Sequence, residues 1–111
     1  MPNYTSQLDT VFQALADPTR RAVLERLTRG PAPVRELAQP FSMALPSFMQ
    51  HLDVLEASGL VQSRKQGRVR TCWLAPERLA EAERWLAMQR EHWTQRLDQL
   101  DRFLTETKEQ S

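Results

Sequence analysis

Residues 44–74 constrain this chain more than any other stretch. From Ala44 to Glu56 the apolar positions Leu45, Phe48, Leu52 and Leu55 recur at helical spacing, so one face of a short helix turns inward. Pro46 then falls in the first turn, where its missing N–H costs little. Gly59 stands where a helix C-terminal glycine belongs. A ribbon from Val61 to Leu74 follows at once and alternates as a hairpin does, with its turn marked by Gln66-Gly67, a weaker signal than Asn-Gly. Ser47, Gln50, His51 and Val54 lie off the inward face of the helix.

Charge separates this ribbon from the rest. Residues 61–75 carry four basic side chains, Arg64, Lys65, Arg68 and Arg70, and no acid; residues 1–60 carry five basic and six acidic groups, and residues 76–111 six and eight. The whole chain has a net charge of only +1, so the bulk number predicts no polyanion partner, whereas the local patch does. A helix with small polar residues followed by a basic ribbon suits double-stranded DNA. The helix enters a major groove and the ribbon lies along phosphates.

The 111 residues favour one domain over 1–111, with a core over 8–75 and a C-terminal helix over 76–107. Leu8, Val11, Phe12 and Leu15 mark a first helix. Asp17-Pro18 restarts the chain as N-cap and first helical residue, and a second helix runs to about Arg29 before Gly30-Pro31-Ala32-Pro33 stops it. A third, short helix carries Val34, Leu37 and Ala38 and ends before Pro40. The expected class is therefore mainly α with a small β-hairpin. After Ala75-Pro76, Leu79, Ala82, Leu86, Trp93, Leu97, Leu100 and Leu104 approximate a heptad seam with one step broken near Gln89-Arg90. A helix of ~30 residues spans ~45 Å, too long to bury its stripe on so small a domain. A homodimer is expected, with Leu86, Trp93, Leu97, Leu100 and Leu104 at its interface, joined by Leu8 and Val11 from the first helix.

Cys72 is the only cysteine and His51 and His92 the only histidines. No intrachain disulfide and no cysteine-rich metal cluster can form, and one thiol with two distant imidazoles is neither a catalytic site nor a soft-metal site. We therefore expect no enzyme, no cofactor and no metal ligands. Cys72 reads as a small packed residue, and Trp73, Trp85 and Trp93 as core or dimer anchors. No apolar run approaches the ~20 residues that cross a bilayer and no secretory signal opens the chain, so no membrane partner is expected and the location is cytoplasmic.

The order of elements is that of a winged helix-turn-helix. Ala14-Leu15-Ala16-Asp17-Pro18-Thr19-Arg20-Arg21-Ala22-Val23-Leu24-Glu25-Arg26-Leu27 resembles the opening of ArsR/SmtB-type transcriptional repressors, as does His51-Leu52-Asp53-Val54-Leu55-Glu56-Ala57-Ser58-Gly59-Leu60-Val61 with Gly67-Arg68 beyond it. The resemblance covers roughly residues 8–76. It implies a dimeric, cytoplasmic regulator that binds imperfect palindromes near promoters and usually represses. It also implies a recognition helix over Ala44–Ala57 and a wing over Val61–Leu74. The cysteine pair of many metal sensors has no counterpart in Val34-Arg35-Glu36-Leu37-Ala38-Gln39, and the last helix has one histidine, His92.

The expected DNA contacts are Ala44, Pro46, Ser47, Gln50 and His51 on the helix and Arg64, Lys65, Arg68 and Arg70 on the wing. Gln50 can pair bidentately with adenine, and Ser47 is permissive; each would otherwise be a solvated helix position. Ala44, Pro46 and Met43 suit a thymine methyl or a sugar edge. His51 suits a hydrogen bond within the helix-turn-helix or a phosphate. Arg68 and Arg70 share a strand face with Cys72, so at least one can pair with an acid on the body. Arg20 and Arg21 are further candidates for the DNA backbone. The alternatives are a metal-responsive repressor of the same fold and a winged-helix protein-interaction module that does not bind DNA.

Overall fold

The structure is a computed structural model that describes residues 4–110, with the side chains of 7–109. Five helices and three strands follow in the order α1 (Tyr4–Leu15), α2 (Pro18–Leu27), β1 (Ala32–Pro33), α3 (Val34–Ala38), α4 (Leu45–Ala57), β2 (Val61–Gln66), β3 (Val69–Leu74) and α5 (Pro76–Gln110). The hairpin is the larger part of a three-stranded antiparallel sheet ordered β1-β3-β2. Ala32 opposes Cys72 and Pro33 opposes Thr71. The Gly30–Pro33 segment thus does more than end α2: its last two residues are an edge strand of the sheet, a place that tolerates proline because an edge donor need not be paired.

The joints are made by specific residues. Asp17 caps α2 by accepting from the Arg20 N–H at 3.1 Å, with Pro18 behind it in the first turn. Partial burial pushes the Asp17 carboxyl up, but the Arg20 amide, the neighbouring His51 and Arg20 charges and the Thr19 amide outweigh that, so it titrates below its ordinary value. Arg20 and Arg21 both spend donors on the end of α1. Arg20 donates from Nε to the Ala14 carbonyl at 2.9 Å and from Nη2 to Gln13 at 2.8 Å, and Arg21 donates to Leu15 at 2.8 Å. Together they satisfy the orphan carbonyls at the end of α1, which accounts for two adjacent arginines after Asp17-Pro18.

The core joins Val11 and Ala14 of α1, Val23 and Leu27 of α2, Leu37 of α3, Phe48, Leu52 and Leu55 of α4, and Val61 and Cys72 of the sheet. Three expectations change here. Leu45, the first member of the α4 stripe, is 57% exposed, while Phe48, Leu52 and Leu55 are buried. Val11 is wholly buried within its own protomer and belongs to the core, not to a dimer face. Ala82 is likewise taken up by the core, so the first turns of α5 pack on α1, aided by an edge-on Phe12–Trp85 contact at 5.6 Å and an Arg78–Gln7 hydrogen bond of 2.9 Å.

Beyond those turns the apolar stripe of α5 is exposed. The helix is continuous past Gln89-Arg90, 35 residues long, or about 52 Å, and gives the molecule a long axis of 75 Å against 35 and 23 Å. Leu86, Trp93, Leu97, Leu100 and Leu104 are 50–71% exposed, and Met88 and Phe103 are exposed beside them.

Asp17→Ala should lower stability to urea by about 0.5–2 kcal/mol, the usual worth of an N-cap. Because the folded carboxyl titrates below its ordinary value of about 3.9, its charge stabilises above that pH. The difference between wild type and variant should shrink as pH falls below about 4.

Candidate nucleic-acid interface

Two constraints set α4 against the wing. The first is the chain reversal at Ser58-Gly59-Leu60. Gly59 N–H donates to the Glu56 carbonyl at 3.0 Å and Leu60 N–H to Leu55 at 3.2 Å, the paired pattern of a Schellman C-cap. Gly59 has φ +81°, and a Cβ there would lie 2.8 Å from Cγ of Arg78, so both backbone and neighbour require glycine. Buried Ser58 stitches the turn, donating to the Leu55 carbonyl at 2.7 Å and accepting from Leu60 N–H at 3.3 Å. The second constraint is a polar cluster. Arg70 on β3 pairs with Glu56 on α4, the Ser63 hydroxyl on β2 donates to the same carboxylate, and Arg70 Nε reaches Ser63 Oγ at 2.9 Å.

Arg70 is therefore engaged by Glu56 on α4; strand alternation, which puts it on the Cys72 side, turns it to the body. Arg64, Lys65 and Arg68 are exposed, and among the described residues none of them has an ion-pair or hydrogen-bond partner. Arg68 stands at the tip. Gln66 opposes Val69, so the hairpin loop is Gly67-Arg68. Gly67 has φ +60° and Arg68 a negative φ, which is the type II′ pattern with glycine first. The turn residues are thus one place later than Gln66-Gly67 suggests.

On α4, Ala44, Pro46, Ser47 and Gln50 are exposed on the part of the helix nearest its N-terminus. His51 is half-buried. Its Nδ1 lies 3.1 Å from Arg20 Nη1 and 3.6 Å from Asp17 Oδ2. Guanidinium only donates, so when the ring is neutral Nδ1 accepts in that contact and the ring proton sits on Nε2. His51 thus ties α4 to the α1–α2 corner. Between wing and helix-turn-helix lies an open groove of about 1240 Å³, with Met43, Leu45, Met49 and Val69 and the charged Arg35, Glu36, Lys65, Arg68 and Arg70 among its lining. The helix spacing and the acid-free ribbon revealed the two halves of this surface, but not Leu45 within it, because periodicity placed that residue inside.

Among the described residues, no group of three His, Cys, Asp or Glu side chains could hold a metal ion. Burial first, and the nearby Glu56 charge second, push the Cys72 thiol up against the opposing effect of Arg70, so it stays protonated and packed, without the thiolate that reactivity requires. No helix among these residues is long and apolar enough to cross a membrane.

Residues 15–64 match a family described as a helix-turn-helix domain. The HTH-type transcriptional regulator Rv2034 of Mycobacterium tuberculosis is 46% identical over 80 residues, 72% of this chain and 74% of that protein. A crystal structure of an ArsR family transcriptional regulator superposes with a TM-score of 0.80 at 61% identity, covering 85% of this chain and 97% of the other. The chain belongs to the ArsR family of transcriptional regulators. An NMR structure of a homodimeric winged helix-turn-helix DNA-binding domain from Mycobacterium bovis, a possible ArsR-family regulator, superposes with a TM-score of 0.60 at 26% identity, covering 85% and 84%. The family is one of DNA-binding regulators, not of enzymes.

Because Glu56 holds Arg70 inward, Arg68→Ala should lower the slope of log affinity against log salt by about one unit per wing, whereas Arg70→Ala should leave the slope near wild type while loosening the wing. Electrophoretic titrations at several salt concentrations separate the two. A slope loss for Arg70→Ala equal to that for Arg68→Ala would return Arg70 to the phosphate contacts.

Proposed function

We propose that this ArsR-family regulator is a cytoplasmic homodimer that binds an imperfect palindromic operator and represses by occupying the promoter. The observation that carries the reading is the pairing of an acid-free wing, whose Arg64, Lys65 and Arg68 are unpartnered, with an adjoining helix whose exposed Ser47 and Gln50 stand ready for base edges. The division of labour is electrostatic. The wing neutralises phosphates and supplies sequence-independent affinity, while the helix supplies discrimination in the major groove. Ala44 and Pro46 bring the backbone close, and His51, held by Arg20, fixes the helix while its Nε2–H is available to a phosphate.

The dimer follows from α5. A stripe of Leu86, Trp93, Leu97, Leu100 and Leu104 in water forgoes about 1.5–3 kcal/mol per side chain that burial would supply. A second copy offers the same stripe, in the self-complementary way of two-fold interfaces, with half-buried Leu8 of α1 at its margin. The homodimeric state of the Mycobacterium bovis domain supports this assembly. The chain then works as one unit, residues 8–75 on DNA and 76–107 on the partner. Two recognition helices about 34–36 Å apart reach successive major grooves, and a dimer so seated covers the DNA that polymerase needs.

The six free wing cations of a dimer, at about −0.9 each, predict a log–log salt slope of up to about −5 on the protein's own promoter region. Gln50→Ala should cost about 1–3 kcal/mol and relax preference at one base per half-site. Leu97→Asp should give a monomer in sedimentation that no longer protects the promoter. A shallow salt slope with equal binding to scrambled DNA would defeat the reading, and a Leu97→Asp protein that stays dimeric would move the interface elsewhere.

A further inference from the structure

Leu45 is unexplained by the fold. It opens α4 at the first helical position and is 57% exposed, although the next members of its stripe, Phe48, Leu52 and Leu55, are among the most buried side chains described. The stripe overruns the core: α4 packs on α1, α2 and β2, and its first turn projects past them. Nor does α5 account for it, since no α5 residue lines the groove in which Leu45 sits. Met43, Met49 and Val69 line that groove with Leu45, together with Arg35, Lys65 and Arg68 and with Arg70 and Glu36, which are paired to Glu56 and Arg26.

Apolar lining beside three cations, Arg35, Lys65 and Arg68, that have no partner among the described residues calls for an occupant with both apolar and anionic groups. Duplex DNA meets both demands. Its phosphates are anionic and, in the major groove, the one apolar group any base presents is the C5 methyl of thymine. The N-terminal residues of a recognition helix are those that reach base edges. We propose that Leu45 is a specificity-determining residue that packs on a thymine methyl in each half-site. It would favour thymine there over cytosine, which lacks the methyl. This rests on the DNA-binding reading above and adds to Gln50, which reads by hydrogen bonds, a second reader that works by apolar contact.

The test removes one methyl at a time. The promoter segment protected by the full-length protein is synthesised with each thymine replaced in turn by deoxyuridine, which changes no hydrogen-bonding group. Affinities are measured for wild type, Leu45→Ala and Met43→Ala, each first checked for unchanged thermal unfolding and dimer mass. At one thymine per half-site, uracil should weaken wild-type binding about fourfold, the equivalent of one buried methyl at about 0.8 kcal/mol. Leu45→Ala should bind the thymine and uracil duplexes equally, both at the weaker level, and Met43→Ala should keep the fourfold preference. Wild-type indifference to uracil at every thymine would overturn the proposal while leaving DNA binding intact. So would a penalty that survives Leu45→Ala, or one abolished only by Met43→Ala. Absence of any protected segment would overturn it together with the reading beneath it.

Discussion

The fixed relation between α4 and the wing is the constraint on which the rest depends. DNA offers phosphates and base edges at set distances, so a helix and a hairpin that read it together must not move independently. Here the link between them is three residues long and fully specified. Gly59 takes a backbone conformation that places β2 back across α4 and leaves no room for a side chain against Arg78. Ser58 satisfies the buried polar groups of the turn. Across the joint, Glu56 collects Ser63 and Arg70 from two different strands. Arg70 is only about a third exposed and Glu56 about a quarter. The cluster acts in a partly dry setting, where removing one partner strands the other's charge. Its worth lies in geometry more than in stability.

The same economy governs the other end of α4. Arg20 holds two carbonyls of α1 and the ring of His51 together, and Asp17 caps α2 beside them. The motif Asp17-Pro18-Thr19-Arg20-Arg21 is thus a corner piece: a cap that starts one helix, and two guanidinium groups that finish the preceding one. Cations spent in this way have fewer donors to offer DNA, and in the proposed reading the wing cations Arg64, Lys65 and Arg68 supply the affinity. A near-neutral body with a local cationic ribbon limits nonspecific attraction while keeping the steering field where the duplex must dock.

Most of the architecture was legible in the sequence because its signals are local. Helical spacing marked α1, α2, α4 and α5, Asp17-Pro18 and Gly59 marked two boundaries, and alternation marked the hairpin. What escaped is what depends on distant neighbours. β1 is two residues long and one of them is Pro33, so no propensity announces it; it exists because β3 has an open edge. Strand parity set Arg70 on the inner side, but Glu56 lies fourteen residues earlier and no spacing rule joins them. Helical period likewise says which side chains share a face and not what that face meets. It grouped Leu45 with Phe48, although the core ends between them, and grouped Val11 with Leu8, although Val11 is consumed by its own protomer.

That last ambiguity is where the structure adds most. An apolar residue outside the core is common on any protein surface, but most of the exposed ones here, Val54 apart, fall on two sites of different character. Along α5 they form a continuous stripe, and a stripe calls for a surface of the same length. At the start of α4 they line a small surface beside cations, which suits an occupant that is itself mixed. A second copy of the chain meets the first demand and an anionic duplex with methyl groups in its groove meets the second. In the proposed dimer α5 would set the spacing of two such surfaces, and with it which pair of bases the two Leu45 side chains would reach.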